Sequence, residues 1–433
     1  MSNTNESWTF DTLQVHAGQE PDPQFGARAL PIYQTTSYVF QDAEQAAGRF
    51  ALTDPGPIYT RLNNPTASVV EERIAALEGG AAALLLASGE AAEFYTFLNL
   101  AQAGDNIVSS PSLYGGTYQL LKTTLKQLGI SVHWVEDPDN IESWSAAIDE
   151  NTKALYGETI PNPKGDILDL EPLAALAHEH DIPLVVDNTI GTPYNVRPFE
   201  HGVDIVVESA TKFLGGHGTA LGGVIVEKGD FNWANGKFPL LSTPDESYNG
   251  ITFSDLGPGG FVTRIRATLL RDTGAAISPF NAFLIAQGLE TLSLRMERHL
   301  SNARAVVDFL DKRDEVEFVG YSGLVTSPYY ELAQKYAPKG AGSVFTFELK
   351  GGRDAGVAFV NALTLFSNLA NIGDVRSLVI HPASTTHSQM DDDELAASGI
   401  SAGTIRLSIG IEGIKDILAD LERGLHAAAE VTA

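Results

Sequence analysis

Residues 183–218 read PLVVDNTIGTPYNVRPFEHGVDIVVESATKFLGGHG. Two short apolar runs lie in this stretch, Pro183–Val186 and Asp204–Val207, and each gives way to polar residues at its carboxyl end. Continuous apolar strands of this kind are buried on both faces, as in parallel sheets covered by helices. In open sheets of that type ligands collect beyond the carboxyl ends of the strands. Asp187 and Lys212 both stand there.

The same alternation extends outward over residues 64–228. Further strands are expected at Ala83–Ala87, Asn106–Ser109, Val132–Val135, Ala154–Thr159 and Gly222–Glu227, with helical patterns between them such as Leu173–His180. Ser68-x-x-Glu71 reads as a capping box. It would open a helix with a Val70, Ile74, Leu77 stripe, stopped by Gly79-Gly80. Residues 279–311 carry one helical spacing through Leu289, Leu292, Met296, Leu300 and Ala303. Beyond them, strands at Val344–Leu349 and Ile405–Ile409 alternate with helices at Ala355–Leu363 and Ile414–Leu425. The expected fold class is α/β, with a mostly parallel sheet in a large domain and a smaller C-terminal α/β domain. Residues 1–63 form an arm of loops that packs on a neighbouring subunit, 64–278 the ligand-binding domain, and 279–433 the C-terminal domain. An insertion without regular elements, rich in aromatic residues, prolines and glycines, interrupts the large domain at 229–263.

The chain has 433 residues, 43% apolar, enough for large buried cores. Its 28 basic and 55 acidic residues give a net charge of −27. Such a chain repels nucleic acid and anionic membranes. It contains no cysteine, which excludes disulfides, thiolate metal sites and a thiol nucleophile. The start Met1-Ser2-Asn3-Thr4-Asn5-Glu6 is polar, unlike a signal peptide. No run approaches the ~20 apolar residues that span a bilayer, so a cytoplasmic protein is expected.

Asp187 can pair with a protonated ring nitrogen and hold it charged, which pyridoxal phosphate (PLP) requires of its protein; an Asp capping a turn is the plainer alternative. Lys212 follows Ser209 and Thr211, whose hydroxyls can donate to a phosphate. It precedes Gly215, Gly216 and Gly218, where backbone can pass close to a ligand. Ser88-Gly89-Glu90 lies between a strand and a helix, where unpaired N–H groups can bind phosphate. Tyr59 and Arg61 place a phenol and a guanidinium side by side, and Arg suits bidentate phosphate recognition. The Tyr114 ring could stack on a planar ligand. Arg406 lies on an apolar strand and needs a partner, which a substrate carboxylate or a buried acid would supply.

Taken in order, these motifs resemble the cystathionine γ-synthase-like family of PLP enzymes, which handle sulfur amino acids. The patterns are Tyr59-x-Arg61-x-x-Asn64-Pro65-Thr66, Ser88-Gly89-x-Ala91-Ala92, Asp187-Asn188-Thr189, Ser209-Ala210-Thr211-Lys212 and Arg406-x-Ser408-x-Gly410. The resemblance runs from about residue 10 to residue 425 and implies the PLP-dependent transferase fold of type I. It also implies roles. Lys212 would bond the cofactor and shuttle protons. Asp187 would pair with the pyridine nitrogen, Tyr114 stack on the ring and Asn162 contact its hydroxyl. Gly89 and Glu90 would offer backbone amides to the phosphate, joined by Ser209 and Thr211. Tyr59 and Arg61 would reach the phosphate of a partner subunit in a homotetramer, with either Tyr59 or Tyr114 assisting proton transfer. Arg406 and Ser384 would bind the substrate carboxylate.

The runs Leu269–Ala275, Ser278–Phe283 and Asn371–Asp374 resemble the branch that joins sulfide to O-acetyl-L-homoserine. Cystathionine formation and elimination are the related alternatives, and a silent PLP-binding protein the distant one. Glu90 departs from the family, which usually carries Gln or Met there. A carboxylate beside a phosphate dianion is repulsive, so Glu90 is expected to turn away or hold a proton and to weaken PLP binding.

Overall fold

The computed structural model describes residues 8–385 and 401–432. They fall into two compact units, Met1–Thr159 with Leu168–Leu292, and Ile160–Ile167 with Ser293–Ala433.

The first unit is built on a seven-stranded sheet. Its strands are β1 (Ala82–Leu86), β2 (Asn106–Ser109), β3 (Ser131–Trp134), β4 (Thr152–Glu158), β5 (Leu184–Asp187), β6 (Ile205–Glu208) and β7 (Gly223–Glu227). Their order is β1-β7-β6-β5-β4-β2-β3. Only β7 runs antiparallel to its neighbours. Every residue of β2, β6 and β7 is buried, the condition that continuous apolar runs anticipate. Helices Pro65–Glu78, Gly89–Leu100 and Leu170–Glu179 pack on this sheet.

Two local expectations need correction. The first helix opens at Asn64, not at Ser68: the Asn64 side chain accepts the Thr66 N–H at 2.9 Å. Pro65 takes the first helical position, where its fixed φ is favourable and no N–H is missed. Ser68 therefore lies inside the helix. Glu71 instead accepts from Leu85 N at 2.9 Å and pairs with Arg266 at 2.7 Å. Residues 279–311, read as one helical stretch, divide into Pro279–Leu289 and Leu292–Leu310. Thr291 N donates to Gly288 O at 3.2 Å, which tightens the turn and ends the first helix.

Residues 229–263, expected to lack regular elements, contain the short helices Pro239–Ser242 and Gly260–Ile265 and two 3₁₀ turns. Aromatic packing holds them. Trp233 stacks on Phe261 with ring centroids 4.8 Å apart and meets Phe238 edge-on at 5.2 Å. Residues 1–63, expected to be loops, carry two short helices, Phe10–His16 and Ala43–Phe50.

The second unit has a five-stranded sheet in the order β10-β11-β12-β9-β8. Its strands are β8 (Val316–Gly320), β9 (Val344–Leu349), β10 (Ser367–Asn368), β11 (Leu378–Ile380) and β12 (Thr404–Ser408). All pairs but β10–β11 are antiparallel. Helices Gly352–Ala362 and Ile414–Thr432 pack closely on one another. A Cβ at Gly424 would lie 2.7 Å from the Phe359 ring, so only glycine admits that approach. Among the described residues no helix is long and apolar enough to cross a membrane.

Candidate active site

The site in the first unit starts from the adjacent carboxyl ends of β5 and β6, where Asp187 is in register with Val207. Thr189 ties the two ends together. Its N–H donates to Asp187 Oδ1 at 2.7 Å, its hydroxyl also bonds that carboxylate, and its Oγ1 accepts the Ser209 N–H at 2.8 Å. The chain then turns tightly. Lys212 N donates to Ser209 O at 3.1 Å, Gly215 N to Ala210 O at 3.0 Å and Gly216 N to Lys212 O at 2.7 Å. Lys212, half-buried, is thus held one turn beyond the strand end that is latched to Asp187.

The Ser88-Gly89-Glu90 junction meets the same turn. The Ser88 hydroxyl caps the helix Gly89–Leu100 by accepting from Ala91 N at 3.1 Å, leaving the N–H groups of Gly89 and Glu90 in the unpaired first turn. A Cβ on Gly89 would lie 2.8 Å from Ser209 Cβ, so bare backbone faces Ser209. The Ser209 side chain therefore borders that helix start. The Thr211 hydroxyl is engaged otherwise, donating to Gly222 O at 3.1 Å and accepting from Gly222 N at 3.0 Å.

The Tyr114 N–H donates to Glu158 Oε1, and the side chain is 51% exposed, which leaves a ring face open for stacking. A Cβ at Gly116 would lie 2.3 Å from Glu90 Oε1 and 2.5 Å from Tyr114 Cε1. Glu90 therefore reaches toward Tyr114. As a whole residue it is exposed, yet burial at its carboxyl end, with the Asp187 charge behind it, raises its pKa. Burial also pushes the Asp187 carboxyl up to about 6, against the Thr189 hydrogen bonds that lower it. Deeper in, Glu93 accepts from the Tyr156 hydroxyl. Burial and then the Asp187 charge hold the Glu93 carboxyl well above the usual carboxylate range.

Tyr59 and Arg61 lie exposed on the arm. The Arg61 guanidinium carbon is 5.1 Å from the Tyr59 ring centroid. Tyr59 O accepts from Leu62 N and Asn63 N within its own turn.

In the second unit, Arg406 on β12 donates to Asn162 Oδ1 at 3.3 Å and to Asn371 O at 3.2 Å. Asn162 is buried. Ser384 is exposed, and its Oγ lies 2.9 Å from His381 Nδ1. His381 Nε2 lies 2.8 Å from Ala402 O and must carry the proton to donate there, so the Ser384 hydroxyl is the donor to Nδ1. Burial lowers the His381 pKa, in keeping with a neutral ring.

The model of the Cys/Met metabolism PLP-dependent enzyme family matches residues 11–426. The chain belongs to that family. Pyridoxal phosphate is the family's cofactor, and the residues present suit it: an acid at the β5 end for the ring nitrogen, Lys212 beyond β6, helix-start N–H groups after β1 beside Ser209, and an open aromatic face after β2. The chain is 53% identical to an O-acetyl-L-homoserine sulfhydrylase of Corynebacterium glutamicum, covering 98% of this chain and 99% of that one. It is 50% identical to a homocysteine synthase of Schizosaccharomyces pombe, over 98% and 99% of the two chains. A solved O-acetylhomoserine (thiol)-lyase structure from Campylobacter jejuni, with pyridoxyl phosphate on a lysine, superposes at a TM-score of 0.93. It is 42% identical and covers 97% of this chain and 100% of its own. The α/β fold with a mostly parallel large sheet is therefore that of type I PLP enzymes, as the motifs implied.

Sequence reasoning missed the buried acids around Asp187, namely Glu78, Glu93, Glu158 and Glu208. Glu208 did carry a signal, an acid closing the apolar run Ile205–Val207. Thr189 was read only as part of a pattern and not as the link between strands. Glu90 leads to a prediction: Glu90→Gln removes a negative charge from the PLP site and should tighten PLP binding roughly 3–10-fold. Spectral titration of PLP into the cofactor-free protein measures this, and equal or weaker binding would refute it.

Proposed function

We propose that this enzyme converts O-acetyl-L-homoserine and sulfide to L-homocysteine and acetate by γ-replacement. The observation that carries the reading is the Asp187–Thr189–Ser209 link, which fixes an acid and the Lys212 turn to one sheet edge. The names borne by relatives about half identical over the whole chain supply the substrates. PLP, when bound, supplies an electron sink for negative charge that develops at the substrate α-carbon.

Asp187 would pair with the ring nitrogen and favour its protonated form. Lys212 Nζ would hold the cofactor and would serve as the general base for the substrate α-proton. Tyr114 stacks on the ring, and either it or Tyr59 assists proton transfer. Asn162 contacts the ring hydroxyl. The N–H groups of Gly89 and Glu90 and the Ser209 hydroxyl hold the phosphate, with Thr211 joining them if its bonds to Gly222 are exchanged. Arg406, with Ser384, holds the substrate carboxylate. Tyr59 and Arg61 complete the phosphate site of a second copy in a homotetramer. The exposure of Phe25 (82%) and Val39 (99%) on the same arm supports such a cover. We assign residues 1–63 to that arm, 64–278 to the cofactor domain and 279–433 to the C-terminal domain, in a cytoplasmic enzyme.

The testing experiment is a substrate panel with PLP-loaded protein, crossing acetyl and succinyl homoserine with sulfide, methanethiol and cysteine. Homocysteine from the acetyl ester and sulfide is the expected product. Oxo acid with ammonia, or cystathionine, as the main product would replace this reading. Arg406→Ala should raise KM for the acyl homoserine about 10–100-fold, the range for one lost charged hydrogen-bonding partner. An unchanged KM would free Arg406 of that role.

A further inference from the structure

Two carboxyl groups lie behind the strand ends that carry Asp187 and Ser209. Glu78 ends the helix Pro65–Glu78 and Glu208 ends β6; their exposures are 0% and 1%. The two side chains are in hydrogen-bond contact. Glu78 Oε1 accepts from Asn188 Nδ2 at 3.0 Å. The same amide donates to Val196 O at 3.0 Å, and its oxygen accepts from the Thr159 hydroxyl at 2.9 Å. Asn188 directly follows Asp187, and Glu208 directly precedes Ser209.

Written as two carboxylates, the pair has no donor. Glu78 Oε2 and both Glu208 oxygens are then buried without a hydrogen-bond partner. Two like charges in contact away from water cannot both persist. One proton between them removes the like-charge contact and partners two of these three oxygens, since a Glu208 O–H can donate to Glu78 Oε2. We propose that Glu78 and Glu208 share one proton at neutral pH, and that the pair is a positioning latch tying the helix end to the turns that carry Asp187 and Ser209.

The surrounding charges assign the proton to Glu208. Burial raises the Glu78 carboxyl too, but the contact with Glu208, the Asn188 N–H and the Arg197 guanidinium all act against it and favour the anion. Glu208 faces the charges of Glu78 and Asp187, and burial with those charges raises its carboxyl well above the ordinary range. The helix Gly89–Leu100, which packs on β6, adds Glu90 and Glu93 on the Asp187 side. No positive group among those named faces Glu208. The effect of the latch on cofactor binding rests on the reading of Asp187 and Lys212 above; the shared proton does not.

The test uses the full-length protein with Glu208→Gln, which keeps a neutral donor, and Glu208→Met, which keeps the volume without one. Glu208 is protonated when folded and ionised when unfolded between its ordinary and its raised pKa. Wild-type stability therefore falls as pH rises through that window. Urea unfolding from pH 6 to pH 9 should show Glu208→Gln falling less steeply, by about one proton per chain. Parallel curves would overturn the shared proton. PLP titration should give Glu208→Gln within about twofold of wild type and Glu208→Met weaker by roughly tenfold or more, the effect of an unpaired buried acceptor. Wild-type affinity in Glu208→Met would overturn the latch. Failure of the wild type itself to bind PLP would refute the cofactor reading instead, and the proton count would still decide the pair.

Discussion

Lys212→Ala should abolish homocysteine formation, by a factor of at least about a thousand, and remove the visible absorbance of the protein-bound cofactor. Both losses follow from one amine. The residue at 212 stands in a turn fixed by three backbone hydrogen bonds, so alanine should keep that turn while deleting the reacting amine. Proton transfer by a placed side chain is worth about 10²–10⁴-fold, and loss of covalent attachment adds to it. Unfolding midpoints should stay near wild type in the cofactor-free protein. Turnover within tenfold of wild type would remove Lys212 from the chemistry.

Asp187→Asn is expected to reduce turnover by about 10²–10⁴-fold, because an amide cannot stabilise a protonated ring nitrogen as a carboxylate does. The same change should stabilise the cofactor-free protein at neutral pH. The folded pKa of Asp187 is raised to about 6 by burial, against about 3.9 in an unfolded chain. A carboxyl shifted upward disfavours the fold as pH rises between those two values, and the deficit persists above them. Two units correspond to about 3 kcal/mol at most, which the amide avoids. Cofactor binding carries the opposite sign: below about pH 6 the protonated Asp187 no longer attracts the ring cation, so PLP affinity should fall in acid. Equilibrium unfolding and PLP titration across pH 5–8 measure both effects. An Asn variant that is active, or one destabilised at pH 8, would contradict this account.

The fold was legible where burial alone dictates pattern. The apolar runs ending at Asp187 and before Ser209 read as interior strands, and they are. Capping was less legible, because two signals competed within one turn and Asn64-Pro65 prevailed over Ser68. Exchange of partners within the site was not legible at all. The Thr211 hydroxyl looks suited to a phosphate in sequence, yet bonds Gly222 across a turn. The Glu78–Glu208 contact joins residues far apart in the chain, and nothing local marks either as a partner. Glu90 was flagged by its departure from the resembled pattern. Its reach toward Tyr114, over the space a Gly116 side chain would fill, required the three-dimensional arrangement.

Borohydride reduction of the PLP-loaded protein, followed by peptide mapping by mass spectrometry, tests the central claim most directly. The account predicts a single pyridoxyl phosphate adduct, on Lys212. An adduct fixed on another lysine, or none on a protein that still makes homocysteine, would contradict it.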